Sequence, residues 1–185
     1  MRLVKSAALL ILVGLLTGGC YSFFYATAEE PLNPVFKPYT QVHVSWIAFP
    51  EGDWQTYGYA TQAEWVGQIQ AYNTKGIQKY LKDWVPELQV SGDTAAGQPM
   101  PEAGELYIKL TYKALLSGGG PGGSDDLQLD VEFIDIPSKQ TIYKAAVAVN
   151  SLGVFPRNWG AGTFDGRLDN EVYNLAEWIK IRLGK

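Results

Sequence analysis

One cysteine, one histidine and two methionines among 185 residues leave little material for metal or thiol chemistry. With Cys20 alone no internal disulfide can form, so an exported form of this chain must rest on packing. With His43 alone and no second cysteine, a nitrogen–sulfur zinc site has no ligand set. No Gly-x-Ser-x-Gly turn is present to raise a serine nucleophile. The longest apolar run, the ten residues Ala7 to Leu16, is too short to span a bilayer, which takes about 20. Basic residues number 15 against 19 acids and are not clustered. That excludes the electrostatic footprint of a nucleic-acid binder and of a protein held by anionic headgroups. No cofactor-binding or metal-binding motif is expected.

What is present begins at the N-terminus. Arg2 and Lys5 precede the apolar run, and the run ends in Leu16-Thr17-Gly18-Gly19-Cys20. A charged start, a short apolar core and small residues at the cut predict a secretory signal over residues 1–19. The small residues stop at the only cysteine, and this arrangement resembles the lipobox of bacterial lipoproteins. The resemblance implies cleavage before Cys20, a thioether-linked diacylglycerol on its sulfur and an acylated new N-terminus, so the first partner is a membrane. Two or three acyl chains, at about 0.8 kcal/mol per buried methylene, hold essentially permanently where one does not. Tyr21, not an aspartate, follows the cysteine. In lipoproteins of the Gram-negative type that implies passage to the outer membrane, with the domain in the periplasm.

Removing residues 1–19 leaves 166 residues with 13 basic and 19 acidic side chains, a net charge of −6 and enough chain for one core. Residues 20–40 read as a lipid-anchored tether, because Pro31, Pro34 and Pro38 recur and no period is sustained. The rings of Tyr21, Phe23, Phe24 and Tyr25 suit either the headgroup boundary or packing onto the domain. Residues 41–185 are expected to be one α+β domain. Val42, Val44, Trp46 and Ala48 alternate as a strand. Thr61-Gln62-Ala63-Glu64 is a capping box, predicting a bond from the Glu64 amide to the threonine hydroxyl and one from the Thr61 amide to the glutamate. A helical stripe follows, interrupted near Asn73 and Gly76 and stopped by Pro86. Leu88 to Val90 is a possible short strand. Leu106 to Ala114 and Leu127 to Phe133 alternate strictly and predict a hairpin placing Lys109 and Lys113 beside Glu132 and Asp130. Thr141 to Val149 is a further strand, and Leu168 to Leu183 a closing amphipathic helix.

This order predicts a two-layer α+β sandwich: a mainly antiparallel sheet of four to five strands with two helices on one face. The layout is similar to the N-terminal domain of the translocation protein TolB, to the curli-secretion lipoprotein and to envelope lipoprotein domains of unknown function. What that similarity implies is an envelope scaffold or assembly role; it transfers no functional residue beyond Cys20.

Few residues of the chain suit chemistry. The Gly118–Asp126 stretch lacks the lysine of a phosphate loop and leads into a strand, so it reads as a hairpin tip. His43 reads as a strand histidine on a partly polar face. Of six tryptophans, Trp46, Trp65, Trp84 and Trp178 fall in predicted elements and read as core. Two ring-bearing loops remain. Trp54, Tyr57 and Tyr59 precede the first helix; Phe155, Arg157, Trp159 and Phe164 precede the last. Tryptophan, tyrosine and arginine dominate interface hot spots, so these are the candidate partner-binding residues, unless the rings cap the ends of the core. The expectation is a non-enzymatic outer-membrane lipoprotein serving as a scaffold with an envelope protein partner. A periplasmic small-molecule or glycan-binding module comes second and an enzyme third; a buried acid beside His43 would favour the last.

Overall fold

The computed structural model describes residues 24–32, 34, 36–47, 60–93, 95–116, 126–151 and 164–185. Six strands form one mixed sheet. In chain order they are β1 (Phe24–Glu30), β2 (Gln41–Ile47), β3 (Gln89–Gly92), β4 (Leu106–Leu116), β5 (Asp126–Asp135) and β6 (Gln140–Asn150), and their order across the sheet is β1-β6-β5-β4-β2-β3. The helical layer comprises α1 (Gln62–Gln70), a π-helical turn (Ala71–Gly76), α2 (Ile77–Trp84) and α3 (Phe164–Arg182).

The expected α+β class holds, but the sheet is larger and less antiparallel than expected. β2 runs parallel to both β3 and β4. The cause is the helical run between β2 and β3: it carries the chain back along the sheet, so β3 must start at the end where β2 starts. The connection from Asp93 to Glu105 then crosses β2 to reach β4. Ser45 and Tyr107, on the sheet face away from the helices, are buried. β4, β5, β6 and β1 follow as antiparallel neighbours.

The strand β1 is a correction. Phe24–Glu30, expected inside an extended tether, pairs with β6 from Phe24↔Val149 onward. The proline spacing that suggested a tether begins only at Pro31, and the preceding residues alternate well enough to add an edge strand. A register shift between Thr27 and Glu30, with Ala28 at φ 52°, breaks the edge. Glu29 and Glu30 are held by Arg182 and Lys144 at 2.6 and 2.7 Å. A bulge and charges of this kind blunt an open edge. Residues 36–40 are tied down too. Phe36 packs its ring 5.5 Å from Phe133 and 5.9 Å from Tyr143, and Glu105 accepts from the Thr40 and Gln41 amides.

The core lies between one sheet face and the helices. Val42, Val44 and Trp46 of β2 meet Leu127, Leu129, Val131 and Phe133 of β5 and the stripe Leu168, Val172, Leu175, Ala176 and Ile179 of α3. The opposite face carries the expected ion pairs, Lys109–Glu132 at 2.6 Å and Lys113–Asp130 at 2.7 Å. Between α2 and α3, Tyr80 donates to Asp169 at 2.6 Å, and the rings of Tyr80, Trp84 and Tyr173 pack together. The interruption expected near Asn73 and Gly76 is the π-helical turn, an inserted residue of the kind that shifts one helix face relative to the next. Thr61 caps α1 by accepting from the Glu64 amide at 3.2 Å. The returning bond differs by one residue: Glu64 accepts from Ala60, not Thr61, at 3.1 Å.

Candidate functional site

The residues singled out from the sequence lie mostly outside the described part of the chain. Cys20, Trp54, Tyr57, Tyr59, Phe155, Arg157 and Trp159 all do, and Phe164 opens α3 with its side chain outside the description. What the fold does place is where their segments attach. Ile47 ends β2, Asn150 ends β6 and Phe24 begins β1. The registers Phe24↔Val149, Leu127↔Val149 and Leu115↔Leu127 put the start of β1 and the ends of β6 and β4 at one end of the sheet. β2 points the same way but stops at Ile47 opposite Thr111, in the middle of β4. The start of α3 is fixed to that end by two buried asparagines. Asn170 donates to the Ser151 carbonyl at 2.9 Å and Asn174 to that of Asn150 at 2.8 Å. The described chain therefore leaves β6 and enters β1 at the same end of the sheet, and leaves β2 pointing toward that end.

A second cluster sits at the other side of the sheet. His43 on β2 lies directly opposite Ser91 on β3. Its Nδ1 is 3.0 Å from Ser91 Oγ, and its Nε2 is 3.0 Å from Asp93 Oδ1. With the ring proton on Nε2, His43 donates to Asp93 and accepts the Ser91 hydroxyl through Nδ1. The His43 ring stacks at 6.0 Å on Tyr107 of β4. Asp93 Oδ2 is buried without a hydrogen-bond partner. Sequence reading expected His43 on a partly polar face and missed its two neighbours. The pairing is non-local, and no spacing in the chain announces that residue 43 will face residues 91 and 93.

The cluster borders an open cleft of about 410 Å³ at the end of the sheet where β2, β3 and β4 begin. Gln41, His43, Lys82, Gln89, Ser91 and Glu105 contribute its polar walls. Glu105 is tied to the backbone there. The Thr40 and Gln41 amides that donate to it hold its carboxyl below the usual range. At the same end, Asp135 gathers Lys37 at 2.6 Å, the Ser138 hydroxyl at 2.7 Å and Tyr39 at 3.2 Å. Lys37 and then Ser138 drive the Asp135 carboxyl well below the ordinary carboxylate range, while burial and the bond to Asp135 push the Tyr39 phenol up to about 12. This is a clasp that fixes residues 37–39 to the sheet. A smaller depression of about 250 Å³ lies on the open face beside Tyr25, Lys113, Gln128 and Asp130. Among the described residues no three potential metal ligands converge and no helix is long and apolar enough to cross a membrane.

No family model matches the chain, and no curated protein sequence is significantly similar to it. Solved structures do align. The PelC dodecamer from Paraburkholderia phytofirmans is 12% identical, with a TM-score of 0.46 over 86% of this chain and 95% of that one. A minor lipoprotein from Acinetobacter baumannii is 15% identical, with a TM-score of 0.33 over 79% and 94%. A DUF330 protein from Xanthomonas campestris is 11% identical, with a TM-score of 0.40 over 82% and 89%. Values this low carry no functional assignment.

Proposed function

We propose that this chain is a lipid-anchored outer-membrane lipoprotein whose domain is a non-enzymatic scaffold or assembly component of the cell envelope. The observation that carries the reading is the run of small residues ending at Cys20, followed after only three residues by a strand of the sheet. A lipid on that sulfur would fasten the folded domain itself to the bilayer. Tethering on a surface raises local concentration, so weak contacts with a neighbour become effective. Crosslinking the processed lipoprotein in its native envelope and identifying what is captured tests the role. Recovery of one recurring envelope protein supports it; recovery of a tightly held metabolite and no protein overturns it in favour of a ligand-binding module.

One observation favours a second reading. The half-buried Asp93 on Nε2 of His43, with Ser91 on Nδ1, forms a carboxylate–imidazole–hydroxyl chain like that of a hydrolytic triad, but with the two ring nitrogens exchanged. Ser91 lies on a regular strand, not on a strained turn that would thrust it at a substrate, which is why the reading ranks lower. A fluorophosphonate probe decides. Labelling of Ser91 that is lost in His43→Ala makes the protein a hydrolase, and an unlabelled Ser91 keeps the scaffold reading.

A further inference from the structure

The sheet face away from the helices is open only in part. Toward β2 it is closed over Ser45 and Tyr107, both buried. Lys109, Glu132, Lys144 and Glu30 then form one row across β4, β5, β6 and β1, tied in pairs at 2.6 and 2.7 Å. Beyond that row lies the depression of about 250 Å³, and the registers give its plan. Tyr25 and Thr27 of β1 lie opposite Ala148 and Ala146 of β6, which lie opposite Gln128 and Asp130 of β5. Two alanines thus make the floor. A ring and a hydroxyl stand on one side, a carboxamide and a carboxylate on the other. Two strand spacings and one two-residue step give that floor about 10 by 7 Å, the footprint of a single sugar ring.

Both flanks of the trough are irregular. β1 shifts register between Thr27 and Glu30, and β4 carries Lys113 as an extra residue between Tyr112 and Ala114. Bulges bend a strand, re-aim side chains and are over-represented beside functional sites. Here Lys113 Nζ reaches Asp130 Oδ2 at 2.7 Å. The charge of the trough is therefore balanced and attracts neither anions nor cations. Asp130 keeps Oδ1 as an acceptor, and the Gln128 amide both donates and accepts. Tyr25, 53% exposed, sets an apolar ring beside these polar groups.

That combination selects among ligands. A peptide main chain finds no partner on this face, because the N–H and C=O groups of β5 and β6 are spent in the ladder. An acyl chain would strip water from Lys113, Gln128 and Asp130 without replacing its hydrogen bonds. A neutral sugar meets both demands: its C–H face packs on an aromatic ring, and each of its hydroxyls donates and accepts.

We propose that the trough binds a neutral saccharide, with one ring against Tyr25 and its hydroxyls on Gln128 and Asp130. The site goes beyond the scaffold reading and needs neither the lipid nor a partner protein.

The test is saturation-transfer NMR on the full chain recovered from its envelope, in a detergent without a sugar headgroup. The probes are cellotetraose, which offers hydroxyls only, and chitotetraose, which adds acetamido groups. Transfer to either supports the proposal, and the stronger of the two tells which kind of sugar is preferred. Tyr25→Ala should weaken binding about fivefold or more, while Tyr25→Phe keeps it. Should Tyr25→Ala loosen β1, Ala146→Leu makes the same test from β6, since leucine fills the floor; binding should be lost at an unchanged melting temperature. No transfer to either sugar overturns the proposal, and so does binding that survives both Tyr25→Ala and Ala146→Leu. Preference for a carboxylate-bearing galacturonate oligomer overturns the neutral class. Dimerisation of the native chain that Ala146→Leu abolishes gives the trough to a second copy instead. Each of these failures leaves the lipid anchor and the capture of an envelope partner untouched.

Discussion

Gly76 leaves no room for a side chain against α3, and replacing it with alanine tests that packing directly. A methyl built on its backbone would lie 2.7 Å from Cγ1 of Val172, a residue with no exposed surface. Carbon pairs rest at about 3.5–4.0 Å. Val172 sits inside a helix, where its χ1 is almost confined to one rotamer, so it cannot turn aside. Two effects then oppose each other. The backbone of Gly76 is right-handed helical, at φ −66° and ψ −53°, and alanine there gains about 1 kcal/mol of helix propensity. Overpacking costs about 1–3 kcal/mol. Gly76→Ala should therefore be neutral to about 2 kcal/mol destabilising. In a Val172→Ala background the obstacle is gone, and the same substitution should stabilise by about 1 kcal/mol. Urea unfolding at constant m reads both values. Equal effects of Gly76→Ala in the two backgrounds would refute the contact, since the cycle isolates their coupling.

Thr61→Ala should cost about 1 kcal/mol by removing the acceptor of the Glu64 amide, read as a lower urea midpoint. The depressed Asp135 carboxyl contributes stability that is present above the ordinary aspartate range and lost as pH falls through its folded value. Asp135→Asn should accordingly flatten the loss of urea midpoint between neutral pH and acid; an unchanged acid limb would contradict the clasp. Tyr39 and Tyr143 are both raised, chiefly by burial, from the ordinary 10 to about 12. Raised groups of this type stabilise fully below pH 10 and lose that contribution as pH rises toward 12. Alkaline unfolding should thus begin in that window, and tyrosine absorbance should show a fraction ionising only as the fold opens.

How much was legible depended on how local each signal was. The hairpin β4–β5 and its ion pairs follow from strict alternation, because side chains of period two must sort to two faces. Trp46, Trp65 and Trp178 are buried as their apolar stripes required, and Trp84 packs partly buried against the core. The cap at Thr61 and the break near Gly76 were visible as short motifs. The parallel pairing of β2 with β3 and β4 was not, since direction across a sheet is decided by the connection between strands. β1 was hidden by its neighbours: three prolines just after it read as a tether, although Phe24–Glu30 contains none. The His43–Ser91–Asp93 cluster depends on β3 docking beside β2, a contact between residues about 50 positions apart. The ring-bearing loops remain expectations from composition, given a common direction by the strands that carry them.

The central claim is a covalent one, and mass spectrometry of the chain recovered from its native envelope tests it most directly. The expected N-terminal peptide begins at Cys20 and carries a diacylglycerol on sulfur with an acylated amine, and Cys20→Ser should appear unprocessed. A free thiol at Cys20, with residues 1–19 still attached or cut elsewhere, would contradict it.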